Sequence, residues 1–315
     1  MSKVKMILDC DTGIDDALAL AYILANPEIE LLGVTTTFGN LSVDQSTTNT
    51  LALMELFHRE DVPIYRGADH AWGTDTYIRD DILAKVHGAN GIGNVDLPLP
   101  RRTCEEKTAV DFIIESAKRY KEDLRIVFLG PLTNFADCIQ KEEEAMRTVG
   151  SITIMGGALT VQGNRTLYAE SNILEDPIAA KFVFGSRIPI QVIPLDATLR
   201  TLFRVKDVEK WQTFHEVGRK FYEIACHYYL SEYQDAEIGG AMHDPLAAMA
   251  GFDPTIVTNW YPCNLTAEEN GRTICAFEEL NRPEKRHQVA LDVDTLRFTD
   301  TYIQLVEELL KSYSK

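Results

Sequence analysis

The stretch that most constrains this chain is Asp9-Cys10-Asp11-Thr12-Gly13-Ile14-Asp15-Asp16. An apolar run, Val4 to Leu8, precedes it and reads as a buried parallel strand. Ala17 to Ala25 follows and reads as a buried helix. Four carboxylates are thereby predicted at the end of a first strand and on the turn into a first helix. In open α/β sheets that edge is where ligands bind. Carboxylates so close repel one another unless something positive sits among them. A hard divalent cation with oxygen ligands is the simple answer. The competing reading is a solvated acidic turn in which Asp15 or Asp16 favours the helix N-terminus. A cap, however, needs one acid rather than four.

The alternation continues. Ile29 to Thr36 reads as a second strand, Val43 to His58 as a helix, and Val62 to Tyr65 as a short strand. Successive β-α units predict a parallel sheet with right-handed crossovers. Gly67 to Thr103 breaks the rhythm, with His87-Gly88-Ala89-Asn90-Gly91 at its centre. A loop this long inside a compact domain is a candidate flap or pocket wall. Glu106 to Tyr120 then has a helical period, and Leu124 to Leu129 reads as a strand. Gly130-Pro131-Leu132-Thr133-Asn134 turns into a helix, with Pro131 suited to its first turn. Val149 to Met155 and Ile188 to Pro194 read as strands, and Asp176-Pro177 as a helix cap plus first-turn proline. Arg200 to about Gly240 is predicted helical, with an aromatic stripe that suits a core. Tyr229 and Tyr233 share a face of its last turn. Met242-His243-Asp244-Pro245 opens another helix. Strands near Thr255 to Tyr261 and His287 to Val293 and a helix from Asp300 close the chain. The expectation is an α/β fold: one domain over 1–315, an open, mostly parallel sheet flanked by helices, and a helical segment near 200–250.

The bulk properties exclude several classes. A net charge of −17 and a pI near 4.8 argue against nucleic acid as a partner, because phosphate binding needs a basic face. None of the six cysteines forms a C-x-x-C pair, so a zinc ribbon or thioredoxin-like site has no support. Scattered cysteines, no signal peptide and no apolar run long enough for a bilayer predict a cytoplasmic protein away from membranes. No P-loop, no G-x-G-x-x-G after a strand and no G-x-S-x-G elbow is present.

Five motifs in order carry a resemblance: D-x-D-x-x-x-D-D after the first strand, G-P-L-T-N, M-G-G, the later E-x-N, and H-D-P. Together they resemble the inosine–uridine-preferring nucleoside hydrolases, across most of the chain. The resemblance implies a Rossmann-like sheet, hydrolysis of the N-glycosidic bond of ribonucleosides, one bound calcium ion, and a homodimer or homotetramer. It implies calcium ligands at Asp11, Asp15, Asp16 and Asp244 and at the main-chain carbonyl of Leu129. An all-oxygen, carboxylate-rich set independently suits calcium or magnesium over zinc, and irregular many-ligand coordination favours calcium. Asp244 also has a plain reading, as a cap before proline.

The implied general base is Asp11. Asp15, Asn172 and Asp244 match positions that hold the ribose 2′- and 3′-hydroxyls, and Asn164 and Glu170 those at the 5′-hydroxyl. Asn40 matches a residue near the attacking water and Met155 one under the sugar. His243 matches the leaving-group histidine, and His87 and Tyr229 the base-side wall. Two other readings stand beside this one. A haloacid-dehalogenase-like phosphatase also opens with D-x-D, and would use Asp9 and Asp11. A non-catalytic nucleoside- or sugar-binding protein would use the same pocket without needing Asp11 or His243.

Overall fold

The structure is a computed structural model that describes residues 3–233, 239–276, 284 and 286–313, the side chains of 229–233 excepted. The strands are β1 (Val4–Cys10), β2 (Ile29–Thr36), β3 (Ile64–Arg66), β4 (Leu124–Phe128), β5 (Ser151–Met155) and β6 (Gln191–Ile193). They continue as β7 (Leu202–Phe203), β8 (Gly240–Ala241), β9 (Val257–Cys263), β10 (Leu265–Ala267), β11 (Thr273–Cys275) and β12 (His287–Val293). The helices are α1 (Ile14–Ala25), α2 (Val43–Leu56), α3 (Asp81–His87), α4 (Ala109–Tyr120), α5 (Thr133–Met146) and α6 (Ser171–Glu175). After them come α7 (Pro177–Gly185), α8 (Leu195–Thr198), α9 (Val205–Val208), α10 (Glu216–Tyr233), α11 (His243–Phe252) and α12 (Thr295–Ser312).

Eight strands form one sheet in the order β3-β2-β1-β4-β5-β6-β12-β9. Every pairing in it is parallel except β12 with the edge strand β9. The chain runs from β1 outward to β3, then returns to β4 on the other side of β1. The strand order therefore reverses between β1 and β4, where an open sheet leaves a crevice at its carboxyl ends. The strands that flank it show why they are central. Met6, Leu8 and Cys10 enter the core under α1 and α11, while Ile7 enters the core under α4 and α5. This is the period-2 alternation of a strand covered on both faces.

Several boundaries differ from the sequence reading. The last helix starts at Thr295, capped by Asp294 on the Arg297 amide, so Asp300 lies inside it. Pro131 stands outside α5, whose cap position is Leu132. The segment 67–103 is not structureless, since it holds α3. Between Arg200 and Gly240 the chain makes β7, α9 and a 3₁₀ turn before α10 begins. The Asp176-Pro177 start is as expected, with the Asp176 carboxylate accepting from the Ala179 amide.

Candidate active site

The crevice floor is the turn from β1 into α1. Asp16 folds back so that its carboxylate accepts from the amides of Gly13 (2.7 Å) and Asp11 (3.3 Å). It caps the first turn of α1 and fixes the turn's shape. Asp11 Oδ2 accepts from the Asn40 amide at 2.5 Å. That approach needs Gly39, which has φ +149°; a Cβ there would fall 2.1 Å from Asp11 Oδ2. The Tyr77 hydroxyl donates to the Gly39 carbonyl, so the same peptide is held from both sides. Asp11 Oδ1 is buried and makes no hydrogen bond to the described residues.

Asp9 is the correction here. Period 2 turns it to the opposite sheet face, where Oδ2 accepts from Thr35 Oγ1 (2.5 Å) and Asn134 Nδ2 (2.7 Å). Burial raises its pKa from 3.8 to about 7. It ties β2 and α5 to β1 beneath the crevice and takes no part in lining it. A phosphatase would need this residue as its nucleophile, and the fold has buried it away.

Asp244 reaches the floor from α11. It is the second helical residue, and α11 has no side-chain cap, so the cap reading of Asp244 does not hold. Carboxylate oxygens of Asp15, Asp16 and Asp244, all buried, lie within 4.8 Å of one another. Burial, then the charges of Asp15, Asp16 and Asp11, pushes the Asp244 carboxyl well above the usual carboxylate range. Burial and the Asp16 charge do the same to Asp11. Such a cluster is comfortable only when protonated or when it holds a cation. The donor set is all oxygen and includes the free Asp11 Oδ1 beside it, which fits a hard divalent ion.

One pocket opens above this floor, with about 660 Å³ of open space including its mouth. Asp15, Asn40, Leu129, Met155, His243 and Asp244 line its floor side. Asn164, Glu170 and Asn172 line one wall and His87 another. Asp11 and Asp16 lie just beneath. Asn172 Nδ2 donates to the Leu129 carbonyl (2.6 Å) and the Met155 carbonyl (3.1 Å), joining the ends of β4 and β5. A carbonyl has two lone pairs, so Leu129 keeps one for a cation. Glu170 caps α6, accepting from the amides of Asn172, Ile173 and Gly157. Asn164 Oδ1 accepts from the Ser171 amide at 3.0 Å.

The two pocket histidines are held differently. His87 Nδ1 accepts from the Ile14 amide (3.2 Å), which fixes the hydrogen of the neutral ring on Nε2. Burial lowers its pKa to about 3. His243 Nδ1 lies 2.7 Å from Thr198 Oγ1, and burial lowers its pKa to about 4. At both positions burial favours the neutral imidazole over the charged ring.

Sequence reasoning missed several participants. Tyr228, 2 % exposed, lines the pocket; the side chain of its neighbour Tyr229, the expected wall residue, lies outside the described residues. Thr198, Tyr77, Arg79 and Arg165 also bear on the site, and none sits in a recognisable motif. The only signal for the last three was their place in, or opposite, the long segment 67–103.

Residues 6–300 match the family described as inosine-uridine preferring nucleoside hydrolase. The chain is 36% identical over 261 residues to a probable uridine nucleosidase 2 of Arabidopsis thaliana, covering 81% of this chain and 80% of that one. It is 32% identical over 321 residues to the pyrimidine-specific ribonucleoside hydrolase RihA of Escherichia fergusonii, with 99% of each chain covered. Among solved structures, the purine-preferring ribonucleoside hydrolase from Gardnerella vaginalis is 40% identical and superposes with a TM-score of 0.94, covering 98% of this chain and 99% of its own. Near-complete coverage on sequence and fold alike leads to one conclusion: the chain belongs to the inosine-uridine preferring nucleoside hydrolase family, enzymes that hydrolyse the N-glycosidic bond of ribonucleosides.

Proposed function

We propose that this protein, as one domain over 1–315, is a calcium-dependent ribonucleoside hydrolase that releases ribose and a free base. The observation that carries the reading is the buried cluster of Asp15, Asp16 and Asp244 beside the unpartnered Asp11 Oδ1, at the switch point of the sheet. Family members depend on a metal, and this donor set favours calcium over magnesium. Asp11, Asp15, Asp16, Asp244 and the Leu129 carbonyl would hold the ion. When bound, it would lower the pKa of a water and help grip the sugar hydroxyls.

The chain's own groups supply the remainder. Asp11, steadied through Oδ2 by the Asn40 amide, takes the proton from the attacking water on Oδ1. Asn40 stands beside that water. Asp15, Asn172 and Asp244 hold the ribose 2′- and 3′-hydroxyls, Asn164 and Glu170 the 5′-hydroxyl, and Met155 lies under the ring. Contacts to these hydroxyls raise the rate where they tighten as positive charge develops on the sugar. His243, kept neutral by burial, stabilises the departing base by a hydrogen bond from Nε2 while the Thr198 hydroxyl donates to Nδ1. His87 and Tyr228 form the base-side wall.

Relatives of comparable similarity are named for uridine, for pyrimidines and for purines, so what carries over is the ribonucleoside and not the base. An assembly of two or four copies in the cytoplasm completes the reading. No helix among the described residues is long and apolar enough to cross a membrane.

The test is ribose release from inosine, uridine, cytidine and adenosine, with calcium-replete and chelator-stripped protein side by side. Calcium-dependent release is expected, and the ranking gives the base preference. Stripping should also lower the melting temperature, since an ion at a hundred times its Kd stabilises the fold by about 2.7 kcal/mol. No release from any of the four by the replete protein would overturn the proposal.

A further inference from the structure

The wall helix α3 is fastened at its two ends in different ways. At its C-terminal end Arg79 grips only backbone. Nε donates to the Asn40 carbonyl (2.7 Å), and Nη1 and Nη2 donate to the carbonyls of Ala89 and Gly88 (2.9 Å each). At its N-terminal end the tie is an ion pair with a residue from across the pocket. Arg165 Nη2 donates to Asp80 Oδ2 at 2.8 Å, while Asp80 Oδ1 caps α3 on the Ile82 amide. The other arm of the same guanidinium, Nη1, donates to Glu175 Oε1 (2.8 Å) and Ser171 Oγ (3.0 Å) on α6.

Arg165 is thus part of the sugar-side wall. Its amide donates to the Ala169 carbonyl, and Gly163 packs so closely on Ala169 that a Cβ would fall 2.1 Å from its carbonyl oxygen. The residue before it is Asn164, locked to the Ser171 amide; five residues on is Glu170. Any group gripped by Asn164 and Glu170 is gripped by the frame that aims Arg165.

The two arms of Arg165 differ in exposure. The Arg165 side chain is 7% exposed and Glu175 14%, but Asp80 is 42% exposed. A buried guanidinium cannot be left without partners, so the Glu175 arm is the permanent one. The Asp80 arm is a solvent-edge pair, weak enough to be made or broken by small biases. Opening it loosens the start of α3 at Ile82 while Arg165 keeps Glu175 and Ser171.

We infer that Arg165 is a positioning residue that couples a 5′-hydroxyl held at Asn164 and Glu170 to closure of α3 over the base, through Asp80. This rests on the reading of the pocket as a ribonucleoside site. It makes selectivity for a 5′-hydroxyl partly a property of the latch. A ligand shifts a conformational equilibrium only by its differential affinity for the two states, and a sugar lacking that hydroxyl forfeits the difference.

The test measures kcat and KM for uridine and 5′-deoxyuridine, or inosine and 5′-deoxyinosine, on wild type, Asp80→Asn and Arg165→Lys. Asp80→Asn keeps a good helix cap and removes only the charge. Wild type should prefer the 5′-hydroxyl substrate by a factor of roughly 10²–10⁴ in kcat/KM. Asp80→Asn should shrink that factor by roughly three- to tenfold, through the hydroxylated substrate alone, leaving the 5′-deoxy rate unchanged. Arg165→Lys, which cannot bridge three partners in a fixed fork, should shrink the factor at least as far while also slowing the 5′-deoxy substrate, because it loosens the Glu175 arm as well. High salt should shrink the wild-type factor and leave that of Asp80→Asn unaffected. A loss shared equally by both substrates, or an unchanged ratio in both variants, would overturn the latch while leaving the hydrolase reading intact. Failure of wild type on every nucleoside would instead remove the hydrolase reading, and the latch with it.

Discussion

The floor and the roof of this pocket are built on different principles. The floor is the β1–α1 turn, the ends of β4 and β5, and the first turn of α11. Its groups sit on backbone that the sheet and core fix, and main-chain amides aim its carboxylates: Gly13 and Asp11 hold Asp16, and Asn40 holds Asp11. The roof is α3 with the segment around it. It is held by single side chains reaching across the fold: Tyr77 to Gly39, Arg79 to Asn40, Arg165 to Asp80. Leu83 and His87 of α3 are buried, yet Ile82 is 43% exposed and Ile78 just before it 85%. A floor of this kind keeps reacting groups in register. A roof of this kind can move by breaking a few polar contacts, which is what admitting a substrate requires.

The sharpest way to break this contrast is to change the floor's base. Asp11→Asn keeps the size of the side chain and should cost on the order of 10²–10⁴ in kcat, with KM little changed. Steady-state kinetics check it, and activity within tenfold of wild type would place the base elsewhere.

His243→Ala should cost roughly 10²-fold in kcat. Because burial holds the His243 pKa at about 4, its protonation does not set a limb near pH 6–7. The pH–rate profile of the variant should drop in height without a shift of the acid limb. A limb near pH 6.5 that vanishes with His243 would contradict a neutral imidazole.

A change in the roof should act on binding instead. Arg79→Lys loses the fork that holds four carbonyls at once, those of Asn40, Leu83, Gly88 and Ala89, and KM should rise roughly three- to tenfold with a smaller change in kcat. An equal fall in kcat and kcat/KM would show that the roof takes part in the chemical step.

The smallest effect is expected at Asp9, two residues from the base. Asp9→Asn keeps an oxygen for Thr35 and Asn134, so activity should stay within about threefold and stability within about 1 kcal/mol. Its signature is in pH. The folded pKa of Asp9 is raised from 3.8 to about 7, so the unfolded chain loses this proton first. The Asp9 contribution to stability is full below about pH 4 and is lost as pH rises towards 7. Denaturant titrations from pH 4 to 8 should show that loss in wild type and a flatter dependence in Asp9→Asn.

The sequence by itself determined the sheet, the position of the acidic turn and most of the floor. An apolar run followed by D-x-D and an apolar helix leaves little choice of local geometry. Periodicity converts neighbours in sequence into neighbours on a face, so Asp11, Asp15 and Asp16 could be placed together, with Asn172 and Asp244 joined to them by resemblance. Even here a limit showed at Asp9, grouped with the cluster by proximity and removed from it by the pleat. Only the tertiary structure decided the roof: that 67–103 contains α3, that Arg165 meets Asp80 across 85 residues, that Thr198 holds His243, and that Tyr228 faces the pocket. The reason is physical. Local order follows from backbone torsions and spacing, which each short segment carries within itself. A contact between distant segments exists only once the sheet has set their separation, and no spacing along the chain encodes that distance.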